Sequence, residues 1–168
     1  KIHYPLAYYG AFFSIRAKAF SYEQMCQGQA HMEAIMKEYR RRMDAVSNKE
    51  PGAQPLSNKE ELAYGDMRVV QEMYARGFQF EPIDIFRAKS RSFQIVGDKL
   101  MPSLSSIDGL GEKAADAIVE AAKDGPFLSR DDFRERTKVT KTIVDLMAEL
   151  GLLGDLPESN QLSLFDFQ

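Results

Sequence analysis

Residues 107–125, IDGLGEKAADAIVEAAKDG, constrain this chain more than any other stretch. Two glycines bracket the single apolar residue Leu110, and a helical pattern starts at once with Ala115, Ile118, Val119 and Ala122 on one face. A Gly109-Leu110-Gly111 turn allows positive φ at a glycine and aims successive amide N–H groups outward at a helix N-terminus, a geometry that holds a phosphate oxygen. A dinucleotide-binding turn would want a preceding strand and a third glycine before the helix, and neither is convincing here. A plain inter-helix turn would also use two glycines, yet it gives no reason for an apolar residue between them. Leu110 is therefore expected to tuck inward while the amides point out.

A second unit comes next. Phe127 and Leu128 precede Ser129, the expected N-cap of a short helix through Phe133, and Ile143, Leu146, Met147 and Leu150 then line one face of a helix stopped by Gly151. Aligning Val139 with Leu110 puts Lys138 and Thr140 where the glycines stood. This degenerate repeat trades amide presentation for side chains, with Arg134, Arg136, Lys138 and Lys141 close together and a hydroxyl on Thr140. The two units resemble tandem helix-hairpin-helix motifs, which grip the DNA backbone without reading sequence. On that resemblance Gly109, Leu110, Gly111, Lys113, Lys138, Thr140 and Lys141 are the expected DNA-binding positions. From Met101 to Gly151 the chain has seven Lys/Arg against ten Asp/Glu, so the expected affinity is modest, on the order of 10⁻⁴ to 10⁻⁶ M at physiological salt.

Upstream, residues 4–17 place Pro5 in a first helical turn and are apolar almost all round, which predicts a helix buried on several sides. Ser21 is a plausible N-cap for a short turn ending near Gly28. Met32, Ile35, Met36, Tyr39, Met43 and Val46 predict an amphipathic helix over 29–46, whose Lys37 and Arg40–Arg42 read either as a solvated face or as a phosphate contact. Residues 47–59 hold two prolines and a glycine and read as a loop; Ser57 can cap a helix over about 58–76 with Leu62, Val69, Val70 and Met73 buried and Gly77 at its end. IDIF (83–86) and SFQIV (92–96) alternate in polarity, and Gly97-Asp98 offers a turn before KLM, so a small antiparallel hairpin is expected, with Arg87, Lys89 and Arg91 as solvated edge charges. The fold class is mainly α with this small β-hairpin.

The 168 residues and 44% hydrophobic content can supply a core, and no apolar run approaches the roughly 20 residues of a membrane span. No membrane partner is expected, and the absence of a leader pattern points to the cytoplasm. The single Cys26, with only His3 and His31 for company, offers neither a disulfide nor a metal-ligand spacing, so no metal or cofactor is expected in this chain. Starting at Lys1 and entering an apolar helix within four residues, the chain reads as a piece of something larger.

HYP followed by LAYY (residues 3–9), the hairpin IDGLGEKAADAIV, GPFLSRDDFRERTKV (125–139) and LPESNQLSLF (156–165) together resemble the C-terminal end of a bacterial family C replicative DNA polymerase of the PolC type. The resemblance implies the end of the fingers over residues 1–50, a linker, helix and β-hairpin over 51–100, a tandem helix-hairpin-helix domain for duplex DNA over 101–154, and a flexible clamp-binding tail over 155–168. It places the catalytic aspartates and their Mg²⁺ ions in a palm domain outside this chain, so no catalytic residue is expected here. QLSLF has the form of the bacterial clamp-binding pentapeptide, with Gln161 at the rim of a pocket on the sliding clamp, Leu162 and Phe165 filling it, and Ser163 and Leu164 between them. Folding of Leu162, Leu164 and Phe165 onto the chain's own core is the alternative for the tail. A helix-hairpin-helix module of a DNA-repair nuclease or ligase is the alternative for the whole.

Overall fold

The computed structural model describes residues 1–159. The expected class holds: helices dominate, with one two-stranded antiparallel sheet. The chain runs through α1 (Pro5–Ala11), a π-helical turn (Phe12–Arg16), α2 (Tyr22–Met25), α3 (Gln29–Ser47), α4 (Asn58–Ala75), β1 (Gln94–Val96), β2 (Lys99–Met101), a 3₁₀ turn (Leu104–Ser106), α5 (Glu112–Ala122), α6 (Arg130–Thr137) and α7 (Lys141–Glu149). None of the helices of the described residues is long and apolar enough to cross a membrane.

Two apolar clusters organise these elements. The first joins α1, α3 and α4 around Tyr9, Phe13 and five methionines (Met25, Met32, Met36, Met67 and Met73), all fully or nearly fully buried. Unbranched thioethers fill irregular gaps between helices, which suits a core that also houses the rings of Phe13, Phe20, Phe80 and Phe93 at centroid separations of 4.9–6.0 Å. Helix α4 starts with a reciprocal capping box between Ser57 and Glu60. Glu60 also receives Arg42 at 2.6 Å, and the same guanidinium reaches the Gln54 and Pro55 carbonyls, so Arg42 pins the 50–56 loop and is not a free phosphate ligand. With Arg41 paired to Glu38, half of the basic run is committed to structure.

The second cluster joins the 83–88 segment, α5, α6 and α7 around Ile118, Phe133 and Met147. Ser129 caps α6 through the Asp132 amide, as expected, but the helix continues past Phe133 to Thr137. Arg136, grouped from sequence with the hairpin cations, instead faces inward. It donates to the carbonyls of Ala121, Gly125 and Pro126 at 2.7–3.1 Å and lies 4.3 Å from the Phe127 ring centroid, tying the end of α5 to α6.

The β-hairpin differs from expectation in one arm. Its turn is Gly97-Asp98, Ile95 pairs with Leu100, and β2 is flanked on its other side by residues 79–81, not by IDIF. IDIF fails as a strand because Asp84 closes a turn on itself: its side chain accepts from the Phe86 amide at 2.9 Å and its carbonyl from the Arg87 and Ala88 amides. Ile83 and Ile85 are both buried all the same. Arg91 is not a bare edge charge either, since it pairs with Asp116 of α5 at 3.0 Å. At the end of α3 it is Ala45, and not Val46, that faces the core.

Candidate nucleic-acid interface

The first turn is closed by the Leu110 amide donating to the Ile107 carbonyl at 3.1 Å. Gly109 sits at φ +83°, which favours a glycine, and a Cβ there would come 3.3 Å from Ile143 Cδ1 on α7, a tight contact. Leu110 is 4% exposed and belongs to the second core cluster. Gly111 is different. Its φ of −71° is open to any residue and a Cβ there would meet nothing within 4 Å. Nothing inside the fold demands a glycine at 111; its bare backbone faces open space beside the start of α5. No side chain caps α5, and the amides of Glu112, Lys113 and Ala114 find no acceptor among the described residues. These outward N–H groups carry the positive end of the helix dipole.

The second turn repeats the main features of the first. Lys138 takes the left-handed position of Gly109 (φ 58°, ψ 23°), Val139 is 5% exposed like Leu110, and Thr140 is the N-cap with φ −73° and ψ 158°, against −71° and 168° at Gly111. One difference separates them. Thr140 Oγ1 accepts from the Ile143 amide at 3.3 Å, so the second helix start caps itself where the first stays open. The hydroxyl proton of Thr140 remains available to an outside acceptor. The first turn therefore presents amides, and the second presents Lys138, Thr140 and Lys141, all exposed.

Charge is distributed to match. Of the seven cations between Met101 and Gly151, Lys123 pairs with Glu120 and Arg136 with Asp132, whereas Arg130, Arg134 and the turn lysines Lys113, Lys138 and Lys141 form no side-chain ion pair among the described residues. The module is acidic in total, yet the cations beside its two turns are free. Lys138 also accepts a strained backbone, since left-handed conformation costs a non-glycine residue roughly 1–2 kcal/mol. Lys138→Gly should therefore raise stability by about 0.5–1 kcal/mol after the entropic cost of glycine is subtracted, readable in a denaturant melt. It should also weaken any duplex binding, with the salt dependence reduced by about one phosphate.

Two features of the site are not evident from sequence. Tyr22 of α2, far upstream, is buried in the second cluster and accepts from the Ile83 amide at 3.4 Å. Asp108, next to Gly109, is held from the same helix: Ser21 Oγ donates to its Oδ2 at 2.8 Å, and its amide donates to Glu23 Oε1 at 3.1 Å. The pattern Ser21-x-Glu23 at a helix start is the only local signal for this contact. Residues Gln161–Phe165 lie outside the described residues. The last described ones are anchored, with the Pro157 and Glu158 carbonyls accepting from the Arg130 and Asp131 amides at 2.8 and 3.0 Å.

Comparison with known proteins agrees with this geometry. A family model for the helix-hairpin-helix motif matches residues 77–162, just over half of the chain. PolC-type DNA polymerase III of Streptococcus pneumoniae strain D39 is 44% identical over 166 residues, that of Streptococcus sanguinis 41% over 166, and that of Bacillus cereus 41% over 165. Each match takes in 98–99% of this chain but about 11% of the relative, so the chain spans roughly a ninth of the length of those polymerases. The paired turns, the matched motif and these relatives together mean that the chain belongs to the helix-hairpin-helix family and is homologous, end to end, to one segment of PolC-type DNA polymerase III.

Proposed function

We propose that the chain is the part of a replicative DNA-directed DNA polymerase that holds duplex DNA by its backbone and recruits a sliding clamp. The observation that carries the first half is the match between two turns that share a left-handed residue, a buried apolar residue and an extended N-cap, one offering uncapped amides and the other unpaired lysines. Their separation of roles suits the two strands of a duplex: phosphates on one strand meet the α5 amides and Lys113, and phosphates on the other meet Lys138, Thr140 and Lys141. Backbone amides and lysine ammonium groups placed at two turns meet phosphates without selecting a base, so binding is expected to be independent of sequence.

The second half rests on QLSLF and on the acidic total charge of the module, which limits what the hairpins hold alone. A weak grip on DNA joined to a weak grip on a ring encircling the same DNA gains about 10² to 10⁴ in avidity through effective concentration. Nucleotidyl transfer itself, with its Mg²⁺ ions, belongs in this reading to the palm of the whole cytoplasmic polymerase, and this chain alone is inactive.

Fluorescence anisotropy with labelled duplexes of unrelated sequence, at low salt, tests the reading. Comparable affinities for all of them are expected, with no turnover of nicked or flapped DNA. Cleavage or joining of such substrates would instead identify a repair enzyme's module, and no binding at low salt would reduce the hairpins to structural turns.

A further inference from the structure

The two hairpins are supported unequally. In the second, the full helix α6 runs straight into the turn, and the Lys138 amide donates to the Arg134 carbonyl at 2.8 Å. In the first, the corresponding element is only the three-residue 3₁₀ turn Leu104–Ser106, too short to aim the glycine turn after it. The missing support comes from the chain's N-terminal part. Helix α2 lays its first turn against the IDG loop, where Ser21 Oγ both caps its own helix through the Gln24 amide and donates to Asp108 Oδ2, while Glu23 Oε1 accepts from the Asp108 amide. Tyr22 between them is sunk in the second core, and Met25 one turn on is sunk in the first.

We propose that Ser21 and Glu23 are positioning residues for DNA: they clasp Asp108 and thereby fix the direction in which the adjacent Gly109–Gly111 turn presents the α5 amides. The inference rests on the proposed duplex binding by that turn. It assigns α2, outside the helix-hairpin-helix region, a role in the grip without any contact to the nucleic acid. The clasp also brings two carboxyl groups together. Burial first, and then the Asp108 charge, raise the Glu23 carboxyl from its ordinary value, so the contact carries an electrostatic cost.

The sign of one substitution separates positioning from simple charge. Glu23→Ala removes a negative charge, which by long-range attraction alone would tighten binding to DNA. If Glu23 positions the turn, binding weakens instead. Measured on the 168-residue chain by duplex titration, Glu23→Ala and Ser21→Ala are each expected to lose roughly 3- to 10-fold in affinity, on the order of one net hydrogen bond. Amide exchange at Leu110, whose N–H closes the turn, should quicken in both. Glu23→Gln, which keeps the acceptor oxygen, should restore wild-type affinity or better. Wild-type or tighter binding by Glu23→Ala, alongside weakened binding by Gly111→Val, would overturn the inference and leave the duplex-binding reading standing. Equal losses in Glu23→Ala and Glu23→Gln would also overturn it, because the acceptor would then not matter. Absence of duplex binding by the wild-type chain would overturn both.

Discussion

Gly111→Val should leave the protein folded and cost it most of its grip on DNA, whereas Gly109→Val should damage the fold itself. The two glycines are two residues apart and look alike in sequence, but only Gly109 sits at positive φ and against Ile143. A β-branched residue there combines backbone strain with displacement of the Ile143 side chain, together roughly 2–5 kcal/mol. At Gly111 a valine meets no protein atom. It is a poorer N-cap than glycine by about 1 kcal/mol, a fall of about 2–4 °C in Tm for a chain of this size. Its branched side chain, though, stands where a phosphate oxygen would approach the amides of α5. Loss of charge-assisted hydrogen bonds of roughly 1.5–3 kcal/mol corresponds to about 10- to 100-fold in duplex affinity. Thermal melts and duplex titrations on the same two variants read both quantities. Equal affinities for wild type and Gly111→Val would remove the amide site.

Phe165→Ala should have a comparably large effect on a different partner. In the proposed clamp contact the Phe165 ring and Leu162 supply the buried apolar surface, each contributing roughly 1.5–3 kcal/mol against the cost of ordering the tail. Removing the ring should weaken binding to a purified sliding clamp by about 10- to 100-fold, and truncation before Gln161 should abolish it. Ser163→Ala should change little. Duplex binding in the absence of clamp should be the same for all three, because the proposed phosphate ligands lie at residues 111–114 and 138–141, away in sequence from the altered positions. Isothermal titration with the clamp checks the first set, and a Phe165→Ala chain that binds clamp as wild type does would end this part of the reading.

How far the fold is legible in the sequence depends on where its determinants lie along the chain. Helices α3, α4, α5 and α7 are legible because each shows apolar residues at helical spacing and a recognisable cap or glycine stop, all within about twenty residues. The equivalence of Val139 with Leu110 is legible for the same reason: the two turns share a local pattern even though Lys138 and Thr140 replace both glycines. IDIF misleads because alternation of polarity also arises when a chain turns, and only the side chain of Asp84 distinguishes the two. Arg136 misleads because sequence does not say which way a guanidinium points; Arg134, two residues earlier, carries the same charge on an exposed face. The clasp between α2 and the first turn is out of reach, since its partners are 85 and 87 residues apart. Local pattern therefore locates the turns, but not the element that aims the first of them.

Both hairpins are held to bind the phosphate backbone through a few free cations and uncapped amides, and the salt dependence of duplex binding tests this most directly. Three free lysines, Lys113, Lys138 and Lys141, predict a slope of log K against log salt concentration near −3, from about −0.9 per neutralised phosphate. The slope should be the same for duplexes of unrelated sequence and should fall by about one unit in Lys138→Gly. A slope close to zero, or one that changes with the sequence of the duplex, would contradict the account.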